Sequence, residues 1–116
     1  MSSADCIFCK IIKGEIPATK VMENDDVLAF RDINPASPHH ILVIPKIHKD
    51  SLNDFEDSEA EILGKLLIAA RKIALQEGFA ENGYRVVSNI GDDGGQTVSH
   101  LHFHVLAGRR HQWPPG

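Results

Sequence analysis

The segment His100-Leu101-His102-Phe103-His104-Val105-Leu106 alternates imidazole and hydrocarbon with a period of two. Successive side chains of an extended chain point to opposite faces, so a strand here puts His100, His102 and His104 on one face and Leu101, Phe103 and Val105 on the other. A helix would scatter both sets around its axis. The segment therefore calls for a sheet with apolar packing on one side and a row of ring nitrogens on the other. The packing partner is equally legible. Ile62, Leu63, Leu66, Leu67, Ala70, Ile73 and Ala74 recur at helical spacing along one face of a long amphipathic helix. Ser58 and Glu61 read as its capping box and Gly78 as its stop.

The remaining elements fall between clear breaks. Cys6 to Lys13 reads as a short helix halted by Gly14 and blocked by Pro17. Lys20 to Glu23 and Val27 to Arg31 read as strands around the turn Asn24-Asp25-Asp26. Ile41-Leu42-Val43-Ile44 is a continuous apolar run ended by Pro45, as in a strand buried on both faces. Tyr84 to Asn89 and His100 to Leu106 complete the strands. This order predicts an α+β domain with a mainly antiparallel five-stranded sheet, one long helix and one short helix. Without repeats, low-complexity tracts or linkers, residues 1–116 read as a single domain.

Composition narrows the function. The chain is 42% hydrophobic, enough for one core without disulfides. Twelve Lys and Arg against sixteen Asp and Glu give a net charge of −4, and no cationic cluster invites a nucleic acid polymer. No apolar run approaches the roughly 18 residues of a membrane span. The opening Met1-Ser2-Ser3-Ala4-Asp5 lacks the basic and apolar regions of a signal peptide. Two cysteines do not make a secreted disulfide framework, so the cytoplasm is the expected compartment.

Three readings compete for the histidine row. A solvated face normally carries Lys, Glu or Thr instead. Two histidines at i, i+2 can share a metal ion, but the outer pair of α-carbons is roughly 13 Å apart at ~3.3 Å per residue, too far for all three. The third reading makes one imidazole a nucleophile, neutral at cytoplasmic pH, with its neighbours orienting it and carrying phosphate charge. The preceding Gly91-Asp92-Asp93-Gly94-Gly95-Gln96-Thr97 suits it: glycines let amides converge on an anion, and a threonine hydroxyl can donate to a phosphoryl or leaving-group oxygen.

His100-Leu101-His102-Phe103-His104-Val105-Leu106 resembles the signature of the histidine triad family. So do Cys6-Ile7-Phe8-Cys9-Lys10-Ile11-Ile12, Gly14-Glu15-Ile16-Pro17, Leu28 to Pro35 and Pro38 to Lys46. The ending Trp113-Pro114-Pro115-Gly116 is similar to that of its nucleotide-binding (Hint) branch. The resemblance implies a purine nucleoside phosphoramidase or nucleotidyl hydrolase acting on AMP- or GMP-linked phosphoramidates and acyl-adenylates. His102 would attack the α-phosphorus and form a nucleotidyl-histidine that water hydrolyses. His104 and Asn89 would hold the phosphate, with the Gly95 backbone and Thr97 completing the cradle. His40 would support the second nitrogen of the nucleophile through the network behind it, and Asp32 would accept from both ribose hydroxyls. Phe8, Ile11, Phe30 and Ile33 would form the slot for the base, unless they are simply core.

Two rivals remain. A dinucleoside polyphosphate hydrolase of the neighbouring Fhit-like branch is disfavoured by the short chain and the Trp-Pro-Pro-Gly end. A nucleotide-sensing binding module would use the same pocket. A homodimer is expected from a second apolar line on the long helix, Ile68 and Leu75 with Gly64, and from the resemblance, which would place Trp113 near the partner's site. Cys6-x-x-Cys9 has a spacing that lets two thiolates share one metal; two buried hydrophobes or a redox pair are the alternatives. His48 and His100 are the candidates for completing a structural zinc site, an arrangement similar to that of family members beginning Cys-Ile-Phe-Cys. His39 and His111 read as solvated loop residues, and Arg109 and Arg110 as surface charge that could position the tail.

Overall fold

The computed structural model describes residues 5–116, so the signal-peptide reading of residues 1–4 lies outside the described residues. In chain order the elements are α1 (Ile7–Ile12), β1 (Lys20–Glu23), β2 (Val27–Arg31), β3 (His39–Pro45), α2 (Ala60–Glu77), β4 (Tyr84–Val87) and β5 (Phe103–Ala107). The strands form one sheet in the order β1-β2-β3-β5-β4, with every neighbouring pair antiparallel. This is the α+β arrangement the sequence predicts. No helix among the described residues is long and apolar enough to cross a membrane.

The central place of β3 explains its unbroken apolar run. Ile41 and Val43 join the core beneath α2, while Leu42 and Ile44 pack on the opposite face with Phe8, Cys9 and Ile11 of α1. Leu101, Val105 and Ala107 also lie beneath α2, which leaves the histidines of the alternating segment on the α1 face. The β1–β2 turn is tied by Asn24, whose Oδ1 accepts from the Asp26 and Val27 amides.

Several boundaries differ from expectation, each for a hydrogen-bonding reason. The box on Ser58 and Glu61 does not form, because the chain makes two 3-10 turns, Leu52–Asp54 and Asp57–Glu59, before α2 begins. Ser51 caps the first, its Oγ accepting from the Asn53 amide while Asp54 accepts from the Ser51 amide. Glu59 accepts from the Glu56 amide at the second. Gly78 does end α2, at φ 84 with its N–H on the Ala74 and Leu75 carbonyls. The buried stripe of α2 is Leu66, Ala69, Ala70, Ile73 and Ala74. Leu67 is turned about 100° from Leu66, off this stripe, and is 50% exposed. β5 begins at Phe103 rather than His100, since the Leu101 amide donates to Lys49 O instead of the ladder. β4 stops at Val87, and the Ser88 hydroxyl then donates to His102 O.

Candidate functional site

Cys6, Cys9, His48 and His100 come together on the α1 face, with one candidate ligand atom from each lying within 4.8 Å of all the others. Cys6 is the N-cap of α1, and its Sγ accepts from the Cys9 amide. The imidazoles are oriented from behind. His100 Nε2–H donates to Pro45 O at 2.9 Å, and His48 Nε2–H donates to Asp50 Oδ1 at 2.8 Å. Each ring therefore turns its Nδ1 toward sulfur: His100 at 3.3 Å from Cys6 Sγ and 3.6 Å from Cys9 Sγ, His48 at 3.3 Å from Cys9 Sγ. A tetrahedral zinc with bonds of about 2.3 Å to sulfur and about 2.1 Å to nitrogen spaces these atoms by roughly 3.6 Å. The donor set fits zinc, with the outer hydrogen bonds that metal-binding histidines ordinarily make. Burial first, and then Cys6, push the Cys9 thiol up to about 11. A divalent ion reverses that preference by binding thiolate outright.

The other imidazoles form a separate relay. The Ala36 amide can only donate, and it meets His40 Nδ1 at 3.0 Å. His40 must therefore carry its proton on Nε2, which lies 2.9 Å from His104 Nδ1. His104 accepts there and keeps its own proton on Nε2. His102 is set independently: its Nδ1–H donates to the carbonyl of His100 at 2.7 Å, leaving the Nε2 lone pair free. Thus the second nitrogen of His102 is held by the carbonyl of His100, while the direct partner of His40 is His104. Burial lowers the pKa of His40, His100 and His102, and burial together with His102 and His40 lowers His104 to about 4. The row is neutral at pH 7.

Asp32, His40 and His104 also bring ligand atoms close together, but their protons are wrong for a metal. An ion on His40 Nε2 would displace its hydrogen while the Ala36 amide still occupied Nδ1, which leaves an imidazolate. The polarity of the group behind each ring distinguishes the two clusters: carbonyl and carboxylate acceptors behind His100 and His48 leave Nδ1 for a metal, and an amide donor behind His40 makes a proton relay.

The remaining candidates are placed less simply. Asp32 Oδ1 accepts from the Asn34 amide, and Oδ2 lies 3.6 Å from His40 Nε2. Asn89 donates to Gly94 O, and the Gly95 amide donates to Asp92 O, so both are engaged within the glycine turn. Gly94 is obligatory there, since a Cβ would stand 2.2 Å from Ile90 O. Thr97 is exposed beside this turn. Phe8, Ile11 and Phe30 are buried in one core cluster, whereas Ile33 is 91% exposed. Phe8 sets its ring edge against His102 at 5.2 Å and against Phe30 at 5.6 Å. Trp113 is 83% exposed.

A five-stranded antiparallel sheet with alternating imidazoles beneath one face, a glycine turn leading into them and α2 behind defines a histidine triad protein. The HIT domain profile matches residues 13–111. A 14 kDa zinc-binding protein of Zea mays is 54% identical over 119 residues, covering all of this chain and 91% of the maize protein. The adenylylsulfatase HINT1 of Arabidopsis thaliana is 50% identical, over 99% of this chain and 79% of that protein. The crystal structure of a HIT family hydrolase from Legionella pneumophila superposes with a TM-score of 0.94 at 53% identity, covering 97% of this chain and 100% of that one. The chain belongs to the HIT family.

Proposed function

We propose that this protein is a nucleotidyl hydrolase that cleaves AMP- or GMP-linked phosphoramidates and acyl-adenylates through a nucleotidyl-histidine intermediate. The observation that carries this reading is the hydrogen bond from His102 Nδ1 to the His100 carbonyl, which presents Nε2 as a neutral nucleophile. Attack forms a bond from Nε2 to the α-phosphorus and breaks the phosphorus–nitrogen bond of a phosphoramidate, whose amine takes a proton from solvent as it leaves, or the phosphorus–oxygen bond of an acyl-adenylate, whose acyl group departs as a carboxylate. The imidazolium so formed keeps its Nδ1–H on the carbonyl. Water then attacks phosphorus, releasing the nucleoside monophosphate and neutral His102. His104, held by His40, offers its Nε2–H to a non-bridging phosphoryl oxygen. Thr97 would serve the leaving group, while Asn89 and Gly95 would hold the phosphate by opening their turn contacts. Asp32 would take the ribose, with Ile33 and the margin of Phe8, Ile11 and Phe30 against the base. Cys6, Cys9, His48 and His100 would hold zinc, which would cross-link α1 to the segment bearing the nucleophile. Two thiols placed as metal ligands suit a reducing compartment, the cytoplasm.

Hydrolysis of adenosine phosphoramidate, adenylyl sulfate and diadenosine tetraphosphate tests this reading. AMP release from the phosphoramidate should exceed cleavage of the tetraphosphate. Cleavage of the tetraphosphate alone, or AMP binding without turnover, would replace it with one of the rival readings. The lowered pKa of His102 also has a kinetic signature. The free base persists as pH falls until the lowered value is reached, so the acid limb of kcat/KM should lie below the ordinary imidazole value of about 6.5.

The protein should also act as a homodimer. Ile68 and Leu75 of α2 are 46% and 61% exposed, and β4 is an edge strand whose Val86 shares the α2 face of the sheet. Pairing two β4 edges would cover an open ladder and these side chains together, and bring Trp113 toward the partner's site. Light scattering after size exclusion should give twice the 12.8 kDa chain mass. A single-chain mass at micromolar concentration would refute the dimer.

A further inference from the structure

Gln96 stands between Gly95 and Thr97 at the end of the glycine turn, yet it is half-buried and both polar atoms of its side chain are engaged. Nε2 donates to Asp50 O and, at 3.0 Å, to Val98 O, while Oε1 accepts from the Gly91 amide at 3.0 Å. Two carbonyls and one amide hydrogen admit a single orientation of a carboxamide, with both of its N–H groups used. The Gln96 amide donates in return to Gly91 O at 3.0 Å, so the two residues close the turn as a ring. The bond to Asp50 carries that ring to a part of the chain 46 residues away.

The far end of this contact is the segment that bears His48. Asp50 Oδ1 accepts from His48 Nε2–H at 2.8 Å, and Lys49 O accepts from the Leu101 amide at 2.7 Å. Leu101 lies between His100, whose ring faces the thiols, and His102. On the other side, the Ser51 amide donates to Asp54 at the following 3-10 turn. Residues 48–50 therefore hold a candidate metal ligand, the histidine segment and the glycine turn at once, each by a different group. The turn needs such an anchor. Gly91 and Gly95 sit at φ 68 and φ 76, and glycine gives up more backbone freedom on ordering than any other residue. The bonds from Asn89 to Gly94 and from Gly95 to Asp92 are local, and they are the ones a bound phosphate would open. Those of Gln96 would persist.

We infer that Gln96 is a positioning residue that fastens the phosphate-holding turn to residues 48–50 and thereby couples nucleotide binding to retention of the metal. The inference rests on the reading of the turn as a phosphate cradle and of the thiol and imidazole cluster as a zinc site. Loss of zinc from a folded protein begins with local opening of a segment that bears a ligand. A nucleotide that orders the turn would oppose that opening through the Gln96 carboxamide. Extraction of zinc from the zinc-loaded protein by the chromogenic chelator pyridylazoresorcinol tests this, with AMP binding measured by calorimetry. Saturating AMP should slow extraction from the parent at least about fivefold, the low end of ordinary coupling between sites. Gln96→Met keeps the length of the side chain and loses all three bonds. Gln96→Glu keeps an acceptor for the Gly91 amide but sets carboxylate oxygen against the Asp50 and Val98 carbonyls. In both variants saturating AMP should change extraction less than about twofold. A structural defect alone would speed extraction with and without AMP alike and leave their ratio as in the parent. The full AMP effect in either variant would overturn the proposal by routing the coupling through the His100 carbonyl and His102. AMP that binds the parent without slowing extraction would overturn it as well, and leave the catalytic reading standing. A parent that binds no AMP would remove the catalytic reading and this inference together, and one that holds no zinc would remove the metal site and this inference together.

Discussion

His102→Asn should leave a nucleotide binder with almost no turnover. Asparagine is the informative replacement because its side-chain amide can still donate to the His100 carbonyl, as His102 Nδ1 does at 2.7 Å. It retains a polar partner for that carbonyl in a buried position beside Phe8. Only the lone pair of Nε2 is removed. Loss of a covalent nucleophile ordinarily lowers kcat by about 10⁴-fold or more, and no second nucleophile stands in this row. Single-turnover mixing with a labelled adenylate donor should trap a nucleotidylated parent and an unlabelled variant. A variant retaining even a hundredth of parental turnover, an effect of under about 3 kcal/mol, would exclude the covalent route.

Loss of the metal should have the second largest effect. Cys9→Ser keeps a small side chain on α1 but removes the sulfur that faces both His48 and His100. The parent should carry close to one zinc per chain and the variant close to none. An ion present at a thousandfold over its Kd stabilises the folded state by about 4 kcal/mol. For a domain of this size that corresponds to on the order of 15 °C in Tm. The effect should reach catalysis because His100 serves both sites: its ring faces the thiols and its carbonyl holds His102. kcat should therefore fall more than AMP affinity. Elemental analysis and calorimetry check the first part, and a parent purified without chelator yet lacking zinc would dismiss it.

The strongest periodicities were legible from sequence because they report burial. The alternation from His100 to Leu106 places the hydrophobes under α2, and the apolar run of β3 follows from its central position. Cys6, Cys9, His48 and His100 could be grouped because thiol spacing and imidazole chemistry are local signals. What was not legible depends on single backbone groups. No residue pattern reveals that the Leu101 amide bonds to Lys49 and shortens β5, or that two 3-10 turns precede α2. The tautomer of His40 is hidden for the same reason, since it depends on the Ala36 amide. Leu67 was placed on the wrong side because a hydrophobe at the edge of a stripe matches the helical period as well as one at its centre.

The hydrogen bond from Ala36 to His40 bears on mismetallation. Cells contain labile zinc and copper, and two imidazoles beside a carboxylate are an ordinary trap for either. By holding His40 in one tautomer, a single amide hydrogen would keep a metal ion out of the relay while the donor set of Cys6, Cys9, His48 and His100 stays open to one. That protection should be removable without touching an imidazole. Ala36→Pro deletes the hydrogen from a loop residue, lets the His40 proton move to Nδ1 and frees Nε2 as a ligand. Such a protein should take up a second equivalent of zinc and lose turnover as it does so, with a chelator restoring activity before it strips the buried thiolate site. One zinc per chain in the variant would mean that something other than this amide keeps the relay free of metal. If two bind, a loop position remote from every ligand list separates a one-metal hydrolase from a two-metal protein, and surveys of metal-binding residues alone would not detect the change.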